Sequence, residues 1–135
     1  MCGILGWAGA PNHKLAESLL QCLNHRGPDA SGSWLSPSQG TWFGHKRLSI
    51  IDLSDAGSQP MHSANGRFTI TYNGEIYNFP AIRSELAGHG THFRGESDTE
   101  TLLEAISLWG LGDTLKKLIG MFAFALYDKS DDSIT

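Results

Sequence analysis

The run Met-Phe-Ala-Phe-Ala-Leu-Tyr at residues 121–127 is the longest unbroken apolar stretch, and it restricts the fold more than any other feature. It is far short of the ~18 apolar residues that suggest a membrane span. Apolar at every position, it reads as a strand covered on both sides, which calls for a layered architecture. With 40% hydrophobic and 18% charged residues and 16 glycines in 135, the chain has the composition of one globular domain. Ten bases against fourteen acids give a net charge of −4. The basic stripe of a nucleic-acid binder is missing, as is a polybasic cluster for anionic membranes. The first basic residue is Lys14, after an uncharged, Gly-broken start unlike a signal peptide. A cytoplasmic protein with no nucleic-acid or membrane partner is expected.

Strand signals come in paired runs. Gly3-Ile4-Leu5-Gly6-Trp7-Ala8-Gly9 suits a buried strand approached closely by other backbone. Residues 31–35 and 41–51 read as strands joined by a turn-rich segment, and 52–62 as a long surface connection. Phe68, Ile70 and Tyr72 alternate with Thr69 and Thr71, a half-buried strand running into a tight Asn73-Gly74 turn. Helices are expected over 13–24, stopped by Gly27-Pro28, and over 78–86, capped by Asn78. A third should run from a Ser97-Asp98-Thr99-Glu100 capping box to Gly110. The order implies α+β rather than alternating βα units. A hairpin that stops at Ser133-Ile134-Thr135 predicts a fragment, truncated at its C-terminal end.

Two cysteines make no disulfide framework. Cys22 shares an apolar helical face with Leu15, Leu19 and Leu23 and reads as a core residue. Cys2 follows Met1 directly, so removing one residue would make it the first. Its α-amine, with a reference pKa of ~7.7–8.0, could then take the proton of a thiol near ~8.5. That is the logic of a nucleophile paired with its own terminal amine.

Cys2 does not stand alone. Cys2-Gly3-Ile4, His25-Arg26-Gly27-Pro28-Asp29, Gly44-His45-Lys46-Arg47-Leu48-Ser49-Ile50-Ile51-Asp52 and Gln59-Pro60-Met61 follow in order. Tyr72-Asn73-Gly74-Glu75-Ile76-Tyr77-Asn78, Ser97-Asp98-Thr99-Glu100 and Gly120-Met121-Phe122-Ala123-Phe124-Ala125-Leu126-Tyr127-Asp128 complete the set. Together they resemble the glutaminase domain of class II glutamine amidotransferases, in the asparagine synthetase branch. The resemblance implies the N-terminal nucleophile hydrolase fold, an αββα sandwich of two antiparallel sheets. It also implies a partial type 2 amidotransferase domain over residues 1–135, whose last strands and synthetase domain lie outside this chain. L-glutamine and that C-terminal synthetase domain are the implied partners, and a homodimer is compatible with the family.

The same resemblance assigns roles. Cys2 would attack the glutamine amide and form a thioester. The Asn73 side chain and the Gly74 N–H would form the oxyanion hole, where one donor is typically worth ~2.7–4 kcal/mol of barrier. Arg47 would hold the α-carboxylate through its two-donor fork. Asp98, helped by Glu75, would receive the α-ammonium. Leu48, Ser49, Ile50 and Ile51 would add backbone contacts. Arg26 either orders the site from outside or makes an ordinary ion pair. No metal or cofactor is expected in this domain: the six histidines form no ligand set, and ATP and Mg²⁺ belong to the synthetase domain. Three functions stay open at this point: ammonia supply for aspartate amidation, the same chemistry feeding a sugar acid, and a non-catalytic binding domain that retains the fold.

Overall fold

A computed structural model describes residues 2–50 and 52–135. Its elements are β1 (Gly3–Ala8), α1 (His13–Gln21), β2 (Ala30–Leu35), β3 (Thr41–Arg47), β4 (Met61–His62), β5 (Phe68–Ile76), α2 (Phe79–Gly88), α3 (Asp98–Trp109), α4 (Leu111–Lys117), β6 (Gly120–Asp128) and β7 (Ser133–Ile134). A 3₁₀ turn spans Asp55–Gly57. Two antiparallel sheets form, ordered β1-β3-β2 and β4-β5-β6-β7.

Alternation along β3 and β5 builds the layers. On β3, Trp42 packs with Ala16 and Leu20 of α1, whereas His45 points the other way and bonds the Tyr72 carbonyl of β5 at 3.1 Å. On β5, Phe68, Ile70, Tyr72 and Ile76 join Leu102, Leu103 and Ile106 of α3 in the main core. The intervening Thr71 instead turns to the first sheet, its hydroxyl donating to the Gly44 carbonyl at 3.3 Å. The order is therefore α1, three-stranded sheet, four-stranded sheet, then α2, α3 and α4: the α+β sandwich that the family resemblance implies.

Local expectations were revised in several places. The first helix ends at Gln21, because the amides of Cys22, Leu23 and Asn24 bond carbonyls three residues back and tighten the chain toward Gly27. Ala16 and Leu20 form its buried face, so Leu15 and Leu19 are only part-covered and Cys22 is exposed rather than in the core. The strand begun at Thr41 stops at Arg47. β5 continues straight through Asn73 and Gly74, which pair with Ala123 and Phe122, so there is no Asn-Gly turn. It is also buried on both faces from Phe68 to Tyr72.

The run at 121–127 behaves less simply than expected. Phe122, Phe124 and Leu126 pack toward the helices, but Met121 is 68% exposed on the opposite face. The first sheet lies over β5, and near the end of β6 the Trp34 and Tyr127 rings stand 4.9 Å apart. The connection at 52–62 holds the 3₁₀ turn and β4, and α4 appears where no element was expected.

Candidate active site

Between the sheets, where β1 begins and β3 ends, lies an open pocket. Cys2, Arg47, Leu48, Ser49, Ile50, Asn73, Gly74, Glu75 and Asp98 all line it. These are all the predicted site residues among the described ones. Ile51 lies outside the described residues, as does Met1.

Cys2 sits just before β1. The Leu48 N–H donates to its Sγ at 3.4 Å, and the thiol lies 3.7 Å from the Leu48 carbonyl. Arg26 makes no ion pair among the described residues; its Nε donates to the Cys2 carbonyl at 3.0 Å, fixing the backbone that carries the sulfur. Asp29 accepts the Ser49 N–H on Oδ2 at 2.8 Å, and its own N–H donates to the Arg47 carbonyl at 3.0 Å. Gly27 between them lies against the Lys46 and Arg47 backbone with no room for a Cβ. The Arg26-to-Asp29 motif is thus the mount for both Cys2 and the segment after β3.

The pocket wall is the edge of β5 beyond the end of β4. In an antiparallel strand, alternate residues direct N–H and C=O to the same side. The Tyr72 N–H meets the Gln59 side-chain Oε1 at 2.6 Å, and the Ile76 N–H meets Asp98 Oδ2 at 3.1 Å. Gly74, midway between them, must point its N–H the same way, yet it has no acceptor among the described residues. A lone backbone donor therefore faces the pocket. Glycine is required there by packing as well, since a Cβ would overlap the Met121 carbonyl and the Phe122 Cβ. Asn73 shares the side-chain face of Thr71, toward the first sheet and Cys2.

Asp98, the first residue of α3, is held at one oxygen only. Oδ2 accepts from the Tyr72 hydroxyl at 2.8 Å as well as from Ile76, and Oδ1 has no partner among the described residues. Burial, with the Asp98 charge beside it, holds the Tyr72 phenol well above its ordinary pKa, so it stays a donor. An oxygen of a carboxylate is thus presented to the pocket. The sequence-level picture of Arg47 as a fork free for a ligand changes: Nη1 donates to the Ser54 carbonyl at 2.9 Å and Nη2 to the Asp52 carbonyl. Nε and one hydrogen on each terminal nitrogen remain. Asp52, Gly57, Gln59, Tyr72, Ser97, Thr99 and Met121 also line the pocket. Sequence reasoning gave them no role in substrate binding, although all but Gly57 stand inside the quoted motifs. No group of three His, Cys, Asp or Glu among the described residues could hold a metal ion. No helix among them is long and apolar enough to cross a membrane.

Comparison with known proteins shows the family of the chain. The family model of the glutamine amidotransferase domain matches residues 1–135. The chain is 39% identical to asparagine synthetase [glutamine-hydrolyzing] 3 of Bacillus subtilis, covering 96% of this chain and 22% of that protein. It is 36% identical to amidase chry2 of Gibberella zeae, covering 96% of this chain and 21% of that one. Its fold matches the glutamine phosphoribosylpyrophosphate amidotransferase of B. subtilis, solved with ADP and GMP, at a TM-score of 0.78 and 20% identity over 95% of this chain and 35% of that one. The chain belongs to the glutamine amidotransferase domain family, as a class II domain of N-terminal nucleophile fold. It spans about a fifth of the length of these curated relatives.

Proposed function

We propose that this domain hydrolyses the side-chain amide of L-glutamine on Cys2 and supplies ammonia to a synthetase domain of a longer protein, for ATP-dependent amidation of aspartate. The observation that carries the reading is the Gly74 N–H, an unclaimed donor between two occupied ones on the wall of the pocket that Cys2 also lines.

Removal of Met1 frees the Cys2 amine, which accepts the thiol proton. Sulfur attacks the amide carbon. Negative charge on the former carbonyl oxygen is met by the Gly74 N–H and the Asn73 side-chain amide, fixed donors of the kind that count most in acyl transfer. The ammonium formed from the amine returns its proton to the departing nitrogen, leaving a thioester and ammonia. Water, deprotonated by the same amine, then cleaves the thioester to glutamate and restores the thiol. The Asp98 Oδ1 receives the α-ammonium with Glu75 beside it, and the remaining N–H groups of Arg47 meet the α-carboxylate. Leu48, Ser49, Ile50 and Ile51 supply backbone contacts. The route draws nucleophile, base and oxyanion donors from this chain. ATP and Mg²⁺ are assigned to the synthetase domain, where the family resemblance puts the amidation step. A cytoplasmic setting agrees with the free thiol chemistry.

In the full-length protein, Cys2→Ala should fold as the parent does and lose glutamine hydrolysis by at least about a thousandfold, read by coupled glutamate detection. Undiminished turnover would sink the proposal. A second acceptor class, a sugar acid, would draw on the same glutaminase chemistry, and the relatives' names differ between synthetase and amidase. Assaying the full-length protein with aspartate against uronic acids separates the two.

A further inference from the structure

Asp52 lies outside the catalytic roles assigned so far, and its carboxylate joins two segments far apart in sequence. Oδ1 accepts the Ser54 N–H at 2.8 Å and the Ser54 hydroxyl at 2.6 Å, folding the loop after β3 back on itself. Oδ2 accepts the Glu96 N–H at 2.8 Å, two residues before Asp98. The loop's own carbonyls, at Asp52 and Ser54, are the acceptors that hold the Arg47 guanidinium. Gly57 backs onto Arg47 Nη2, and Gly95 lies so close to Asp52 Oδ2 that a Cβ would sit 2.5 Å from it. One carboxylate therefore connects the mount of Arg47 to the turn that presents Asp98. The hydrogen bonds from Ser54 and Glu96 hold Asp52 below the usual carboxylate range, so it is ionised at neutral pH and both arms are charge-assisted.

We propose that Asp52 is a positioning residue that sets the distance between the carboxylate-binding Arg47 and the ammonium-binding Asp98, and so makes the site selective for a free α-amino acid. The proposal rests on the glutaminase reading above. The carboxylate reaches substrate only through the loop and the helix start. A glutamine must be bound at both charged ends at once, so an error in their separation weakens binding at each. Chemistry at the amide, set by Cys2, Asn73 and Gly74, is left in place.

The test uses the full-length protein with Met1 removed, and compares Asp52→Asn and Asp52→Ala with the parent. The Asn side chain keeps one acceptor oxygen and places an N–H₂ against the other donor, so one arm is lost without loss of volume. The expected result is a KM for L-glutamine raised about tenfold with kcat within about twofold. The decline in kcat/KM should be much smaller for 4-carbamoylbutanoate, which lacks the α-amino group and never needs the second end. Ser54→Ala, which removes only the hydroxyl arm, should shift KM less than Asp52→Asn. An unchanged KM in both Asp52 variants, or equal losses of kcat/KM for the two substrates, overturns the clamp while parent turnover leaves the glutaminase reading intact. Absence of parent turnover would instead count against the glutaminase reading. Hydrogen exchange then decides the clamp separately: amides of Ser54 and Glu96 should exchange at least tenfold faster in Asp52→Ala, and unchanged protection there refutes it.

Discussion

Gly74 illustrates how one residue answers two demands. Paired with Phe122 on β6, it leaves no space for a Cβ, and on its other edge it offers an N–H to the pocket. Gly74→Ala should therefore destabilise the domain by about 1–3 kcal/mol through overpacking, and reduce glutamine hydrolysis beyond what that loss accounts for. Urea unfolding followed by assay at a temperature where the variant is fully folded separates the two effects. A variant that is destabilised yet turns over normally would show that glycine serves strand packing alone. The motif is visible in the sequence, whereas the structure gives it extended rather than turn geometry. Asn-Gly favours a turn by local preference, and only nine consecutive pairings with β6 hold it in a strand.

At the scale of elements, α3 joins fold and site. Ser97 caps it by accepting the Glu100 N–H at 3.1 Å. The reciprocal half of the expected capping box does not form, because the Glu100 carboxylate takes the N–H groups of Arg94 and Gly95 and the Arg94 guanidinium instead. The glutamate serves the preceding loop rather than its own helix start. Ser97→Ala should cost about 1 kcal/mol of stability, measured by thermal melting. Because Asp98 is the next residue, it should also raise KM for glutamine without a matching fall in kcat. Equal kinetics in the two proteins would mean that Tyr72 and Ile76 alone hold the Asp98 carboxylate. Asn78, expected as a cap, instead ties α2 to the chain before β6, its Nδ2 donating to the Lys117 carbonyl and its Oδ1 accepting from Ile119.

Across the whole molecule, the two sheets meet through polar bonds near the site, and His45 makes one of them from a fully buried position. Since a carbonyl only accepts, Nε2 carries the hydrogen. Burial lowers the His45 pKa to about 4, against a smaller opposing pull from the Tyr72 carbonyl. Between that value and the ordinary 6.5 the unfolded chain binds a proton that the folded one refuses. Stability from this group is thus intact above 6.5 and falls as pH drops toward 4. The loss is on the order of 3 kcal/mol. Urea midpoints at neutral and mildly acid pH, compared between the parent and His45→Gln, should show this acid-side decline only in the parent. Parallel pH curves would contradict the assignment.

What the sequence determined by itself is the α+β class and, through its ordered family motifs, which residues gather at the pocket, because side-chain identity and apolar periodicity are local quantities. Cys2, Asn73, Gly74 and Asp98 could be named from ordered motifs before any pairing was known. What only the tertiary structure decided is where hydrogen-bonding capacity is already spent. Arg47 gives two donors to loop carbonyls, Tyr72 and Ile76 find acceptors, and Gly74 between them does not. The partners of Tyr72 and Ile76 lie 13 and 22 residues away along the chain, and those of Arg47 meet it only because the loop after β3 folds back, so no local pattern encodes them. The same reason left the exposed face of β6 and the exposed Cys22 unforeseen: periodicity marks a face as apolar, but a second sheet or helix must arrive to cover it.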